Sequence, residues 1–162
     1  MFVVDTNVLV YAANADCPEH VRCRSLLEEW RYRPLPWFST WPIFYEFLRV
    51  VSHPKVVRRP WPAAQAWSFL EALVAPPGFS LLANTGRHAE IARLTLNELP
   101  DISGNLMHDA HTAILMREHG IRRIYTRDQD FHRFPFLEAL DPLDEDQPPP
   151  TPPAPSAAGE AR

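Results

Sequence analysis

Residues 2–15 read FVVDTNVLVYAANA and place an aspartate inside the most apolar stretch near the start of the chain. The run FVV has the composition of a short buried strand, and the apolar residues after Asp5 have helical spacing. Aspartate is a favoured helix N-cap, which is the simplest interpretation of Asp5. Asp5 also lies at the carboxyl end of a predicted strand, where ligands gather in parallel α/β sheets. The sequence therefore leaves both a capping role and a functional role open for Asp5.

Outward from this stretch, strand-like and helical patterns alternate along the chain. Further strands are predicted in 35–39, 79–83, 121–126 and 136–143, and further helices in 18–33, 40–53, 61–75, 84–99 and 105–120. Val21, Leu26, Leu27 and Trp30 have helical spacing in the second helix. Gly120 is the expected stop of the last helix. The alternation predicts an α/β fold with a mainly parallel sheet.

The last part of the chain has a different composition. Residues 144–162 are rich in proline and acid and contain no large apolar residue, so they are expected to form a disordered or extended tail after a domain at 1–143. A proline-rich ligand for another protein is the less favoured interpretation of this tail. Six acids and one base in 138–162 give −5, which leaves +1 of the total −4 for residues 1–137. This balance permits a nucleic-acid substrate without arguing for one.

Cysteine content and hydropathy indicate the cellular location of the protein. Cys17 and Cys23 are too few for a disulfide framework, so both are expected to be reduced thiols. The first apolar run is interrupted at Asp5, which does not suit a secretory signal. Since no stretch approaches about 18 uninterrupted apolar residues, no membrane span is expected. We therefore predict a soluble, cytoplasmic protein.

Four further acids occupy unusual positions. Glu46 lies in the apolar helix 40–53, with Arg49 three residues on as the simple surface partner. Asp109 is next to the apolar stripe of the helix 105–120, where an unpaired buried charge would cost several kcal/mol. Asp128 and Asp130 follow the strand 121–126, where a tight Asx turn is the simple interpretation.

The acids are harder to explain together than separately. Two carboxylates about 5 Å apart repel by roughly 3 kcal/mol at an effective dielectric near 20. Carboxylates that converge at one edge of the sheet would therefore need a cation or raised pKa values. A set of oxygen ligands favours Mg²⁺ over zinc. The residues thus indicate a hard divalent cation site.

The motifs VVDTNVLVYA, DAHTAILMREHG and YTRDQDFHRFPFLEALDPL, together with Glu46, resemble the PIN-domain ribonucleases, and most closely the VapC-type toxins. The resemblance covers residues 1 to about 143 and implies a three-layer α/β/α fold with a mainly parallel sheet. It implies a Mg²⁺-dependent endoribonuclease, with Mn²⁺ as a possible substitute. It also implies a small VapB-like antitoxin, a homodimer, and products with 5′-phosphate and 3′-hydroxyl ends.

Residue roles are transferred by position. The resemblance makes Asp5, Glu46, Asp109 and Asp128 the pocket acids, with Asp130 as an auxiliary acid. Asp5 and Asp109 are expected to be the direct metal ligands. Thr6, Asn7 and Thr126 match supporting polar positions. Arg49 and Arg127 are candidate phosphate-binding residues, although either one is equally suited to pair with an acid.

Other interpretations remain open at this point. A haloacid dehalogenase-type phosphatase also begins with a strand and an aspartate, but its D-x-D start is D-x-N here. A DNA- or structure-specific nuclease would use the same acids, and a PIN-like binding module would have lost catalysis. A catalytic role for His108 or His111 is disfavoured, because helical spacing turns both away from Asp109. Most aromatic residues in 37–47 are expected in the core rather than on a base-stacking surface.

Overall fold

A single parallel sheet organises the chain. The computed structural model describes residues 1–33 and 35–144. Its strands are β1 (Phe2–Val4), β2 (Trp37–Thr40), β3 (Phe79–Leu82), β4 (Arg123–Tyr125) and β5 (Glu138–Leu140), in the order β3-β2-β1-β4-β5. Every neighbouring pair is parallel. The predicted mainly parallel sheet is confirmed.

In the described part of the chain, six α-helices connect the strands, as the sequence predicts. They are α1 (Thr6–Ala13), α2 (His20–Tyr32), α3 (Trp41–Val51), α4 (Ala63–Val74), α5 (His88–Glu98) and α6 (Leu106–Glu118), and a 3₁₀ turn spans Gln129–Arg133. Local signals set several helix ends. The Thr40 hydroxyl accepts a hydrogen bond from the Ile43 N–H at the start of α3, and Gly120 ends α6 with a φ of 68°.

The strand order places helices on both faces of the sheet. From β1 the chain moves to β2 and then β3 on one side, and afterwards it returns to β4 and β5 on the other. Because parallel crossovers are right-handed, this reversal places α1–α4 on one face and α5–α6 on the other. The observed packing agrees, since α1 contacts α2 and α3, α3 contacts α4, and α5 contacts α6. The predicted three-layer α/β/α fold is confirmed.

The reversal also creates a crevice at the carboxyl ends of β1 and β4, where ligands bind in open α/β sheets. Val4 pairs with Tyr125, and the Asp5 N–H donates to the Tyr125 carbonyl at 3.1 Å. Asp5 and Thr126 therefore leave adjacent strands at the same edge of the sheet. This register brings two segments distant in sequence to the start of one crevice.

The core lies on both faces of the sheet and differs from the predicted core in a few places. Trp37, Phe44 and Phe47 are buried, as expected. Val21 is 78% exposed, so its predicted place on the apolar stripe of α2 is wrong: the buried face of α2 carries Cys23, Leu26, Leu27 and Trp30, and Val21 lies on the opposite face. The helix predicted over 84–99 begins only at His88, since the preceding polar residues form a turn.

Three further expectations concern cysteines, the membrane and the tail. Cys17 and Cys23 are free thiols, as predicted, and burial raises the pKa of Cys23 to about 12. Within the described ranges no helix has the length and apolar content that crossing a membrane requires. The tail from Glu145 onward lies outside the described residues, so the domain boundary at 143 and 144 stays a prediction.

Candidate metal centre

Asp5 is the most deeply buried acid of the crevice, with 7% of its surface exposed. It caps α1 by accepting the Thr6 N–H at 2.7 Å, as the capping interpretation predicts. Its second oxygen accepts hydrogen bonds from Asn7 Nδ2 at 2.7 Å and from Thr126 Oγ1 at 2.6 Å. Burial raises the pKa of Asp5 to about 6 despite these donors. Asp5 therefore caps α1 and also lies in the crevice, so both interpretations of its sequence position hold together.

Three other acids form the tightest group. Carboxylate oxygens of Asp109, Asp128 and Asp130 all lie within 4.8 Å of one another, close enough to hold one cation. Asp109 is supplied by the first turn of α6, and the other two by the loop after β4. The Asp128 side chain accepts the Asp130 N–H at 2.9 Å, so the predicted Asx turn is present and presents both acids together.

The electrostatics of the group favour a cation. Burial is the main reason that the pKa of Asp109 is raised to about 7, and the neighbouring acids, first Asp128 and then Asp5, raise it further. Oxygen ligands in this arrangement suit Mg²⁺ or Mn²⁺. The residues present therefore fit a hard divalent ion.

Glu46 lies at the rim of the group. Its side chain accepts the Thr6 hydroxyl at 3.1 Å and pairs with Arg49 Nη2 at 3.2 Å. The surface pair predicted from spacing is thus formed, and the same carboxylate also contacts the first turn of α1. Glu46 contributes to the raised pKa values of Asp5 and Asp109, which places it within electrostatic reach of both.

The supporting polar residues connect the two strand ends. Thr126 Oγ1 donates to Asp5 and accepts from the Asp128 N–H at 2.9 Å. Asn7 Nδ2 also donates to Thr126 Oγ1 at 2.9 Å, while Asn7 Oδ1 accepts the Arg127 N–H at 3.2 Å. This network holds the loop after β4 against the start of α1.

The Arg127 guanidinium has partners that the sequence does not reveal. It pairs with Glu19 at 2.7 Å and with Asp141 at 3.4 Å. Neither acid was predicted, because Glu19 lies 108 residues away in the chain and neither has a local motif. Arg127 is therefore occupied by carboxylates that join the loop after β4 to the start of α2 and the segment after β5.

The histidines of α6 lie outside the acid group. His111 packs its ring edge-on against His88, with ring centroids 5.6 Å apart, and His88 Nδ1 lies 2.8 Å from Glu118 Oε2. Burial and the nearby His88 lower the pKa of His111. Within the described part of the chain, the acid group contains no histidine.

Comparison with known proteins places this geometry in a family. Residues 2–137 match the model of the PIN domain. The chain belongs to the PIN-domain family. Ribonuclease VapC43 of Mycobacterium tuberculosis is 35% identical over 144 residues, which cover 89% of this chain and 97% of that protein. Ribonuclease VapC48 of the same species is 30% identical over 139 residues, covering 86% and 95%.

Solved structures share the PIN fold. VapC20 of Mycobacterium tuberculosis aligns with a TM-score of 0.58 and 20% identity over 82% of this chain and 93% of that chain. VapBC2 of Rickettsia felis, bound to a DNA fragment from its promoter, aligns with a TM-score of 0.58 and 19% identity over 86% and 96%. The resemblance to VapC-type PIN domains that the motifs indicate is confirmed.

Proposed function

We propose that this PIN-domain protein is a divalent-metal-dependent endoribonuclease and the toxin of a type II toxin–antitoxin pair. The observation that carries the proposal is the convergence of Asp109, Asp128 and Asp130 beside the buried Asp5 in a crevice of a PIN fold. Relatives at 30–35% identity over most of the chain are named ribonucleases, which supports RNA as the substrate.

Asp109, Asp128 and Asp130 would hold the cation, and Asp5 and Glu46 would complete its surroundings. This assignment differs from the pair expected from sequence, Asp5 with Asp109, because Asp130 belongs to the tightest group within the described residues and Asp5 does not. When bound, Mg²⁺ or Mn²⁺ lowers the pKa of water and stabilises charge on phosphate oxygens.

The side chains of the protein supply orientation. Three donors fix Asp5, so its carboxylate faces the crevice in one orientation. Thr126 holds the backbone of the loop that carries Asp128 and Asp130. Such positioning provides much of the catalytic effect in phosphoryl chemistry. With water rather than the ribose 2′-hydroxyl as the nucleophile, and with the 3′-oxygen as the leaving group, the products would carry 5′-phosphate and 3′-hydroxyl ends.

The partners follow from the same family. Structural neighbours include VapBC complexes, and this supports a small VapB-like antitoxin as the partner of this chain. Homodimerisation and a cytoplasmic location are part of the proposal. Arg49, 64% exposed in its side chain and next to Glu46, is the better placed of the two candidate phosphate-binding residues.

Digestion of total RNA tests the proposal. We expect the full chain to cleave RNA with Mg²⁺ or Mn²⁺ and to lose this activity in EDTA. Asp109→Asn should reduce cleavage and Mn²⁺ affinity by more than about a hundredfold, because loss of even an outer residue of a metal site costs about 10–100-fold. Glu90→Gln is the matched control, since Glu90 is exposed on α5 and pairs only with Arg87 among the described residues.

Two outcomes would contradict the proposal. Cleavage of RNA that persists undiminished in metal-free buffer would exclude a metal-dependent reaction at the acid group. Calorimetry in which Asp109→Asn takes up Mn²⁺ as well as the native protein would do the same. A parallel digest of single-stranded DNA distinguishes an RNA-directed enzyme from a nuclease of broader substrate range.

A further inference from the structure

Two histidines and a buried glutamate meet between α5 and α6, outside the acid group. His88 is the first residue of α5, and His111 and Glu118 lie two turns apart on α6. The His88 and His111 rings meet edge-on at an angle of 83°, with centroids 5.6 Å apart. We call these two residues the histidine pair. Both are partly exposed, so an ion in solution can reach them.

Glu118 sets the orientation and the tautomer of His88. The Glu118 side chain is only 1% exposed, and its two oxygens accept from His88 Nδ1 at 2.8 Å and from the Thr85 N–H at 2.5 Å. Although burial opposes it, hydrogen bonds from Thr85 and His88 hold the pKa of Glu118 below its ordinary value. An ionised carboxylate only accepts hydrogen bonds, so His88 Nδ1 carries the proton, and Nε2 of the neutral ring keeps a lone pair.

This arrangement is the one that surrounds metal-binding histidines. A histidine that binds a metal through one ring nitrogen usually donates the other N–H to a carboxylate, which fixes the ring and raises its basicity. Glu118 and His88 stand in this relation. The ring of His111 makes no hydrogen bond within residues 1–33 and 35–144, so its nitrogens are available as well.

The spacing of the rings suits one shared ion. With metal–nitrogen distances of about 2.0–2.1 Å, two imidazoles on a tetrahedral ion have centroids about 5 Å apart. The observed 5.6 Å is close to this value, and the torsion that turns each ring is soft. The pair supplies two protein ligands, so water would hold the remaining positions.

The ligand type separates this site from the acid group. Imidazole nitrogens suit Zn²⁺, Cu²⁺ and Ni²⁺, whereas Mg²⁺ prefers the oxygens that the acid group offers. We propose that His88 and His111 bind Zn²⁺ or a similar transition-metal ion, with Glu118 as the positioning residue of His88. The ion would tie α5 to α6, the helix that supplies Asp109 to the acid group. This inference does not depend on the proposed nuclease function.

Calorimetry with Zn²⁺ tests the inference on the full chain. Excess Mg²⁺ occupies oxygen ligands during the titration but does not compete for imidazoles. His88→Gln and His111→Gln should each weaken Zn²⁺ binding by at least about tenfold, and Glu118→Gln by about tenfold, as expected for a residue that orients a ligand. His53→Gln is the matched control, because His53 is an exposed imidazole in the loop after α3.

Electron paramagnetic resonance with Cu²⁺ identifies the ligand atoms directly. The native protein should show hyperfine coupling to nitrogen, which carboxylate oxygens do not give. This coupling should be reduced in His111→Gln and retained in Asp109→Asn. If His88→Gln fails to fold, His111→Gln decides the result, since the His111 ring has no hydrogen bond to lose within the described residues.

Three outcomes would overturn the inference. The first is an unchanged Zn²⁺ affinity in both histidine variants. The second is a Zn²⁺ affinity that falls only in Asp109→Asn, which would assign the ion to the acid group. The third is a native protein that takes up no Zn²⁺ while Glu118→Gln lowers the melting temperature, which would show that the contact only fastens α5 to α6. Histidine-dependent Zn²⁺ uptake without any cleavage of RNA would support the inference and remove the nuclease.

Discussion

The Thr126 hydroxyl donates to the Asp5 carboxylate at 2.6 Å, although the two residues are 121 positions apart. The same hydroxyl oxygen accepts the Asp128 N–H. One side chain thus links the buried acid after β1 to the loop that carries two of the three clustered acids. The contact exists because β1 and β4 are adjacent in the sheet.

Removing this hydroxyl should impair the site without unfolding the protein. Thr126→Val keeps the shape of the side chain but removes one of the three donors to Asp5 and the hydroxyl oxygen that accepts the Asp128 N–H. We expect cleavage and Mn²⁺ affinity to fall about 10–100-fold, as for other residues that orient metal ligands. Thr126→Ser should recover most of both. A loss in the serine variant as large as in the valine variant would contradict the role of the hydroxyl, because serine retains it.

Arg127 is expected to act in folding rather than in phosphate binding. Its guanidinium pairs with Glu19, whose side chain is only 14% exposed, and with Asp141. Arg127→Met should lower the free energy of unfolding in urea by about 0.5–1 kcal/mol, the upper range for a partly exposed pair. Arg24→Met, which removes a more exposed pair with Glu28, is the control. A raised KM for RNA with unchanged stability would instead support the phosphate-binding role that the sequence left open.

Stability should depend on pH through Asp109 and Asp5. Their pKa values are raised to about 7 and about 6 from the ordinary 3.8. The folded protein therefore retains protons that the unfolded chain releases, and the free energy of unfolding of the metal-free protein should fall as pH rises from about 4 to about 7. Melting curves in EDTA at about pH 5 and about pH 7.5 measure this fall.

Two comparisons check that assignment. Asp109→Asn should show a smaller fall between the two pH values than the native protein, whereas Glu90→Gln should match the native protein. Added Mn²⁺ should raise the melting temperature more at the higher pH, because metal and proton compete for the same oxygens. An identical pH dependence in Asp109→Asn and in the native protein would refute the assignment.

Gly120 ends α6 with a φ of 68°, a conformation that a side chain disfavours. A Cβ at this position would meet no atom within 4 Å, so the cost of Gly120→Ala is conformational alone. We expect a loss of about 1–2 kcal/mol in the free energy of unfolding by urea. Gly86→Ala is the control, since that position is equally open and has no positive φ. Equal effects of the two substitutions would contradict this explanation.

Many elements could be predicted because their signals are local. The FVV run before Asp5 forms β1, Pro42 lies in the first turn of α3, and Gly120 ends α6. Val21 was misplaced because it lies about half a turn around α2 from the buried Cys23 and Trp30, so its helical spacing does not put it on their face. Trp41 and Tyr45 are exposed for a similar reason, because α3 buries the face that carries Phe44 and Phe47 and leaves another face open.

The sequence by itself determined the alternating elements, the parallel α/β class and the family, because hydrophobic period, caps and motifs act over a few residues. Only the tertiary structure decided that Asp130 joins Asp109 and Asp128 in the tightest group, and that Glu19 and Asp141 hold Arg127. These contacts join segments that are far apart in the chain. They depend on strand order and on how each helix rotates against the sheet, and no short stretch of sequence encodes either one.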